Sequence, residues 1–451
     1  MPDNVKQKEI ERWLREHKIE DVEILISDFA GISRGKKLPK ETFVNALGQN
    51  TLRLPESIFG TTVDGKFIDN EFITVMEQDV FLRPDLDASG MVPWNDEPTA
   101  YFICDVVQTD GSPSNLAPRQ VLKNVLAKYA EKGWQPVVAP EYEFTLLAQD
   151  KAAGLDAPTG RSGASASTRG YMSLDGLNEF DPVFNDVKSY CAAMGLPMDA
   201  LVQEAGAGQY EFNIGHGNAV QLADHTFQFK RIMKWAAVKH GFDACFMAKP
   251  YPEDFGNAMH IHQSVIEKET GDNVFADKNG KDTNLFRAHI AGLQKYLPAA
   301  MPFLAPYENS YLRLSDAQSS PINTHWGVEN RTVGLRVPEG GRASRRIENR
   351  IAGSDVNPYL AMAASLACGF LGMAEKLPPS EALSESAYDV PGNTLPGNIH
   401  AGLEALDQCK PLRELLGDGF VTTYVDVKKL EIRQRARVLS DWDKQYLRTN
   451  V

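Results

Sequence analysis

Arg345-Arg346-Ile347-Glu348-Asn349-Arg350-Ile351 alternates charged and hydrocarbon side chains. At a period of two, Arg346, Glu348 and Arg350 line one face of a strand while Ile347 and Ile351 line the other. Following Arg331 and Arg336, this mixed-sign face reads as an anion site with its own carboxylate, because guanidinium forks match phosphate and carboxylate oxygens. The same period recurs upstream. In Met259-His260-Ile261-His262-Gln263-Ser264, His260, His262 and Ser264 share a face, with Met259, Ile261 and Val265 opposite. In Glu141-Tyr142-Glu143-Phe144 two carboxylates share a face of an otherwise apolar strand, and burying both requires a compensating cation. In Gln203-Glu204-Ala205-Gly206-Ala207-Gly208-Gln209-Tyr210-Glu211-Phe212 a Gly-rich reversal separates Glu204 from Glu211, which a hairpin would bring together. Taken singly, each stretch also fits a solvated sheet face or a hydrogen-bonded core histidine.

Working outward, strands are expected at 137–147, 200–204, 209–214, 258–265, 332–337 and 346–350. They alternate irregularly with helices such as 222–240 and 358–375, which favours an α+β fold over a doubly wound sheet. Ahead of them come an amphipathic helix with Ile10, Trp13 and Leu14 on one face, a strand at 22–27, and β-like runs at 67–74 and 101–107. Residues 108–118 (QTDGSPSNLAP) concentrate turn formers before a helix carrying Val121, Leu122, Val125, Leu126 and Tyr129. The boundary therefore falls there, giving domains 1–112 and 113–451. The Ala/Gly/Ser-rich run 152–170 reads as a mobile loop.

The chain has 451 residues, 43% hydrophobic and 24% charged, which suits a globular protein of two or three units. A net charge of -13 argues against nucleic acid as a partner. Five dispersed cysteines suggest neither a disulfide framework nor a zinc knuckle, and a reducing cytoplasm is expected. No secretion signal is visible, and the most apolar run, 361–373, is too short to span a membrane. P-loop, dinucleotide and nucleophile-elbow motifs are absent from the sequence. Five glutamates and a histidine form an oxygen-dominated ligand set suited to Mg²⁺ or Mn²⁺, and arginines stand beside them for anions. ATP-dependent chemistry is the economical inference.

E-Y-E-F, E-A-G-A-G-Q-Y-E, G-N-A-M-H-I-H-Q-S, N-S-Y-L-R-L, N-R-T-V-G-L-R-V-P, R-R-I-E-N-R and N-P-Y-L-A-M-A-A occur in that order between about residues 110 and 375. Together they resemble the glutamine synthetase superfamily. The resemblance implies a small N-terminal β-grasp domain and a larger C-terminal catalytic domain. It also implies a homo-oligomeric ring, a dodecamer of two stacked hexamers with active sites between neighbours. Carried over, Glu143, Glu204 and Glu211 would hold a metal beside the glutamate and amine sites, and Glu141, His260 and Glu348 one that orients the ATP phosphates. Arg313, Arg350 and the backbone at Gly256 would hold glutamate. Arg331 and Arg336 would handle the transferred phosphoryl group, and His262, Ser264 and Arg346 would contact ATP. The implied reaction phosphorylates the side chain of glutamate, and an amine then attacks the acyl phosphate.

The departures concern the amine. Leu54-Pro55-Glu56-Ser57-Ile58 stands where ammonia-using members carry D-G-S-S, Ser319 replaces a flap glutamate, and Phe255 replaces an asparagine. Losing carboxylates from a small negative pocket opens room for a larger amine. These changes, with Ser440-Asp441-Trp442-Asp443 near the end, resemble the γ-glutamylpolyamine synthetase branch, which uses putrescine or related amines. The alternatives are an ammonia-using glutamine synthetase and a silent ring-forming relative, and six retained ligands argue against silence. Glu56 and Asp64 are candidates for the missing base. Tyr388 sits in a Tyr-Asp-Val-Pro segment resembling an adenylylation site, but the incomplete flanking pattern argues against regulation there.

Overall fold

The computed structural model describes residues 3–149, 155–167, 170–315 and 320–448. The N-terminal part runs α1 (Asp3–Glu16), β1 (Asp21–Ser27), β2 (Ser33–Pro39), α2 (Lys40–Gly48), β3 (Arg53–Pro55), β4 (Asp79–Met91) and β5 (Thr99–Val107). Its five strands order as β2-β1-β5-β4-β3 among the described residues. β1 and β5 pair in parallel at the centre and antiparallel strands flank them, the layout of a β-grasp. The helices cover one face because their apolar residues recur at helical spacing. Ile10 and Leu14 of α1 are buried, and Phe43 of α2 stacks on Phe102 at 5.4 Å. The run 67–74 is not a strand. Asn70 Oδ1 accepts from the backbone N–H groups of Phe72 (2.9 Å) and Ile73 (2.8 Å), so an Asx turn takes the donors a ladder would need.

The rest comprises α3 (Pro118–Ala130), β6 (Trp134–Ala148), α4 (Leu174–Glu179), α5 (Asp181–Ala193), β7 (Met198–Gln203), β8 (Gln209–Ile214), β9 (Gly217–Asn218), α6 (Ala219–Lys239), β10 (Phe242–Cys245), β11 (Met259–Glu267), α7 (Asn284–Leu304), α8 (Glu308–Leu314), β12 (Trp326–Val328), β13 (Leu335–Val337), β14 (Ile347–Asn349), α9 (Pro358–Glu375), α10 (Ile399–Gln408), α11 (Lys410–Leu416), α12 (Asp418–Arg435) and α13 (Asp441–Tyr446). A second sheet orders as β12-β13-β14-β11-β6-β8-β7, with β9 and β10 also pairing with β6. β12 is not among the expected strands, its Trp-Gly-Val carrying no alternation of charged and apolar residues. β13 begins later than expected because Asn330 Oδ1 caps Thr332 N–H at 3.0 Å, making a turn of the residues before it.

One face of this sheet is aromatic and packs on helices. Tyr142, Phe144 and Phe212 are fully buried, and Phe212 stacks on Phe229 of α6 at 4.1 Å. Behind them α9 crosses α7 at Gly292 and Gly372, where a Cβ on either glycine would overlap the other helix's backbone. This close approach explains the Ala/Gly-rich composition of α9. The other face carries the charged residues. No helix among the described residues is long and apolar enough to cross a membrane.

Candidate active site

Strand register assembles the site. On β6, Glu141 pairs with His260 of β11, and Glu143 with Glu211 of β8. On β14, Glu348 pairs with both His262 of β11 and Arg336 of β13. Because neighbours in register point the same way, five strands deliver one row of side chains to the same side of the sheet. The β7–β8 hairpin adds Glu204, whose N–H donates to Gln209 C=O at 2.9 Å. Directly opposed like charges such as Glu143 and Glu211 cost stability in a sheet, so the arrangement must be sustained by the surrounding fold.

Two cavities flank the row and share Glu141. The larger, about 710 Å³, is lined by Glu143, Glu204, Glu211, His260, Arg313, Arg331, Arg336, Glu348 and Arg350, together with Phe255 and Gly256. The smaller, about 470 Å³, is lined by His262, Ser264 and Arg346 with Asp199, Asn213 and His216. All the residues carried over by resemblance thus fall within one continuous region. Glu56 does not join it. Its carboxylate accepts from Gln108 (2.6 Å) and Ser114 (3.2 Å) in a separate depression. Asp64 is exposed and accepts from Thr62 at 2.5 Å. Ser319 lies outside the described residues, as do parts of the 152–170 loop, while Ser320 and Tyr388 line the larger cavity.

Hydrogen bonds fix protonation states in the row. Arg346 Nε donates to His262 Nδ1 at 3.1 Å, so the proton of that imidazole sits on Nε2, which donates to Glu141 at 2.8 Å. His260 Nδ1 lies 3.3 Å from the other oxygen of Glu141. Burial would raise the Glu141 carboxyl, but these two imidazole bonds outweigh it and hold it far below the ordinary range. Burial, helped by Arg350, pushes His260 down to about 4, so it is neutral and fit to bind a metal. Glu348, 1% exposed, accepts from Arg350 (2.6 Å) and Arg336 (2.8 Å). Burial opposes its charge, yet Arg350 above all holds it down at about 2.

The other half of the row is crowded with acid. Burial and then Glu204 push Glu143 up to about 8, and burial with Glu143, Glu141 and Glu204 pushes Glu211 up to about 9. Glu204 is raised chiefly by burial. A cluster of carboxylates that disfavours its own ionisation, together with a neutral imidazole, suits a hard divalent cation. The closest groupings are Glu141 with His262 and Glu348, and Glu141 with Glu211 and His260, each with donor atoms within 4.8 Å of one another. This division differs from the one the resemblance implies, since Glu141 is common to both groups and its bond to His262 draws that residue in. Glu143 and Glu204 stand outside these tight groups.

The arginines point to an anion. Buried Nε atoms of Arg313, Arg336 and Arg350 have no partner among the described residues. The Arg313 head donates to the carbonyls of Ile351 (2.8 Å) and Arg350 (3.1 Å), tying α8 to the exit of β14. Gly256 is needed for close approach, since a Cβ there would overlap the Ala248 carbonyl and crowd the Arg313 side chain. Gln209 is a residue that sequence reading missed. Its amide donates to Glu143 (3.1 Å) and to the Gly256 carbonyl (3.0 Å), linking the start of β8 to β6 and to the approach to β11.

Comparisons with known proteins identify the family. Residues 115–446 match the family model for the glutamine synthetase catalytic domain. The chain is 32% identical to gamma-glutamylputrescine synthetase PuuA of Escherichia coli (strain K12), covering 98% of this chain and 95% of that protein. It is 31% identical to a glutamate–isopropylamine ligase of a Pseudomonas species, covering 98% of each. A solved structure described as a GmaS/ADP complex superposes with a TM-score of 0.83 at 28% identity, covering 96% of this chain and 98% of that one. With that family model matched over most of the chain and relatives above 30% identity along nearly its whole length, the chain belongs to the glutamine synthetase family.

Proposed function

We propose that this protein joins the γ-carboxylate of glutamate to a polyamine such as putrescine or spermidine, through a γ-glutamyl phosphate. One observation carries the reading. A single row of metal-competent side chains lies between a nucleotide-sized cavity and a second cavity that combines arginines, carboxylates and the apolar walls Phe255, Tyr171 and Met172. An alkyl diammonium needs that combination, whereas ammonium needs only a small acidic pocket.

In this reading His262, Ser264 and Arg346 hold ATP, and Arg313, Arg350 and the Gly256 backbone hold glutamate. Two or more Mg²⁺ or Mn²⁺ ions, held by Glu141, Glu143, Glu204, Glu211, His260 and Glu348, would neutralise phosphate oxygens when bound. A γ-carboxylate oxygen attacks the terminal phosphorus, ADP leaves, and Arg331 and Arg336 stabilise the charge spread over the phosphoryl oxygens. The amine nitrogen then attacks the acyl carbon, phosphate departs, and one proton is released. An alkylammonium has a pKa near ~10, as lysine does, so it must lose a proton before attack. Relatives named for putrescine and isopropylamine support the amine assignment. We also infer a ring of stacked hexamers, in which the exposed Val75 and Met76 between β3 and β4 and the exposed Trp442 on α13 would be covered by neighbouring copies, and a cytoplasmic location, in keeping with five free cysteines.

The test is product analysis with ATP, glutamate and Mn²⁺. Amide formation from putrescine or spermidine is expected to exceed glutamine formation from ammonium at equal concentration, and to rise from pH 7 to pH 9. Efficient glutamine formation without any alkylamide would leave the ammonia ligase in its place.

A further inference from the structure

One wall of the larger cavity is built by a device separate from the row of ligands. Residues 170–173 form a turn in which Ser173 N–H donates to Gly170 C=O at 2.9 Å. Met172, within it, adopts a left-handed backbone (φ 59°), an uncommon conformation for a long side chain that must be held by its surroundings. The holder is Gln203, the residue before Glu204. Its carbonyl accepts from Met172 N–H at 3.0 Å, and the end of its side-chain amide faces the carbonyls of Gly170 and Ser173, which have no proton to give, so the nitrogen is assigned to that side and donates to both (3.1 and 3.2 Å). Gln203 is 5% exposed, and a Cβ on Gly170 or Gly176 would overlap its amide, so both glycines are needed for the turn to close over it. The Met172 side chain remains largely exposed, at the lip of the cavity beside Glu204.

We propose that Met172 is a specificity-determining residue for the hydrocarbon part of the amine, and that Gln203 is the positioning residue that sets it. The proposal rests on the amine-ligase reading above. Gln203 neighbours one candidate ligand in sequence and fixes the apolar lip in space, so the distance between acid and lip is set by one side chain. A flexible thioether presented this way makes adaptable contact with methylenes, which ammonium cannot use.

The experiment compares kcat/KM for ethylamine, butylamine, putrescine and ammonium in the wild type, Met172→Gly and Gln203→Leu. Glycine suits the left-handed backbone, so Met172→Gly removes the side chain without threatening the fold. The ratio of kcat/KM for butylamine over ethylamine does not depend on the fraction of folded enzyme. A methylene contact is worth roughly ten- to two-hundredfold in discrimination, so Met172→Gly is expected to lower that ratio at least about tenfold. Gln203→Leu is expected to shift it in the same direction. A ratio unchanged in Met172→Gly, in an enzyme that makes alkylamides, overturns the proposal and leaves the amine-ligase reading standing. A ratio that moves in Met172→Gly but not in Gln203→Leu overturns the positioning role. A wild type that makes glutamine alone overturns both readings together.

Discussion

Glu348 is a single carboxylate that answers two guanidiniums and stands opposite His262, and its neighbours explain why it stays charged at 1% exposure. Glu348→Gln keeps the shape and removes the charge. Phosphate release at saturating Mn²⁺ is expected to fall by about 10²–10³, the scale for losing one electrostatic group at a phosphoryl-transfer site; turnover near wild type would remove Glu348 from the reaction. The acid-crowded half makes a different prediction. Mn²⁺ is expected to raise the melting temperature by binding the folded row and displacing protons from its raised carboxyls, and Glu211→Gln to reduce that rise. Equal Mn²⁺ shifts in the two proteins would argue that Glu211 holds no metal. At this scale the sequence was informative wherever period-two spacing fixed a face, as for Glu141 and Glu143 or His260 and His262. It was silent on Gln209 and Gln203, whose partners are set by how far an amide reaches to a neighbouring strand or into a turn.

Elements carry the site through what lies behind them. Lys230 of α6 is half-buried, donates to Val356 C=O at 2.8 Å, and lies 5.5 Å from the ring centres of Tyr142 and Phe246. Burial pushes its ammonium down to about 7 from 10.5, against the pull of Asp355. Between those two values the unfolded chain binds a proton that the folded chain lacks, so folding gains from this group as pH rises. Lys230→Met removes that dependence. Asp355, whose carboxyl burial pushes up, is pushed further once the lysine is gone, which shifts the comparison in the same direction. The stability of the wild type relative to the variant is therefore expected to grow by on the order of 1–2 kcal/mol between pH 7 and pH 9, read from urea midpoints. Parallel profiles would show that Lys230 keeps its proton in the fold. Helices and long strands of this layer were readable from periodicity, and α9 and β8 fall at the expected residues. The short β12 was not, because Trp326–Val328 carries no alternation of charged and apolar residues and its place is set by pairing with β13.

The whole molecule depends on joints that no local pattern reveals. The N-terminal sheet meets the helices through Phe29, edge-on to Phe420 of α12 at 5.4 Å, and through Asn357, whose amide donates to Ser27 Oγ (3.0 Å) and Asp28 C=O (2.7 Å). Arg119 at the start of α3 is the centre of a further joint. Its guanidinium binds Asp85 of β4 (2.8 Å), Asp105 of β5 (2.6 Å) and Asp224 of α6 (2.8 Å), so one side chain clasps the first sheet to the helical layer behind the second. Burial works against its charge, but Asp224 outweighs that and raises its pKa. Asp224 itself is 4% exposed and is pushed up by burial despite Arg119, so it cannot stand as an anion without the arginine. Arg119→Met should therefore cost about 3–5 kcal/mol, as removing one partner of a buried ion pair does, measured by denaturant unfolding. Asp224→Asn in the same chain should recover part of the loss, because the uncompensated carboxylate and not the missing hydrocarbon is the source of the penalty. A single variant within about 1 kcal/mol of wild type, or a double variant less stable than Arg119→Met, would mean that the sheet is held by its apolar contact at Phe29 and that the ion pairs only border it.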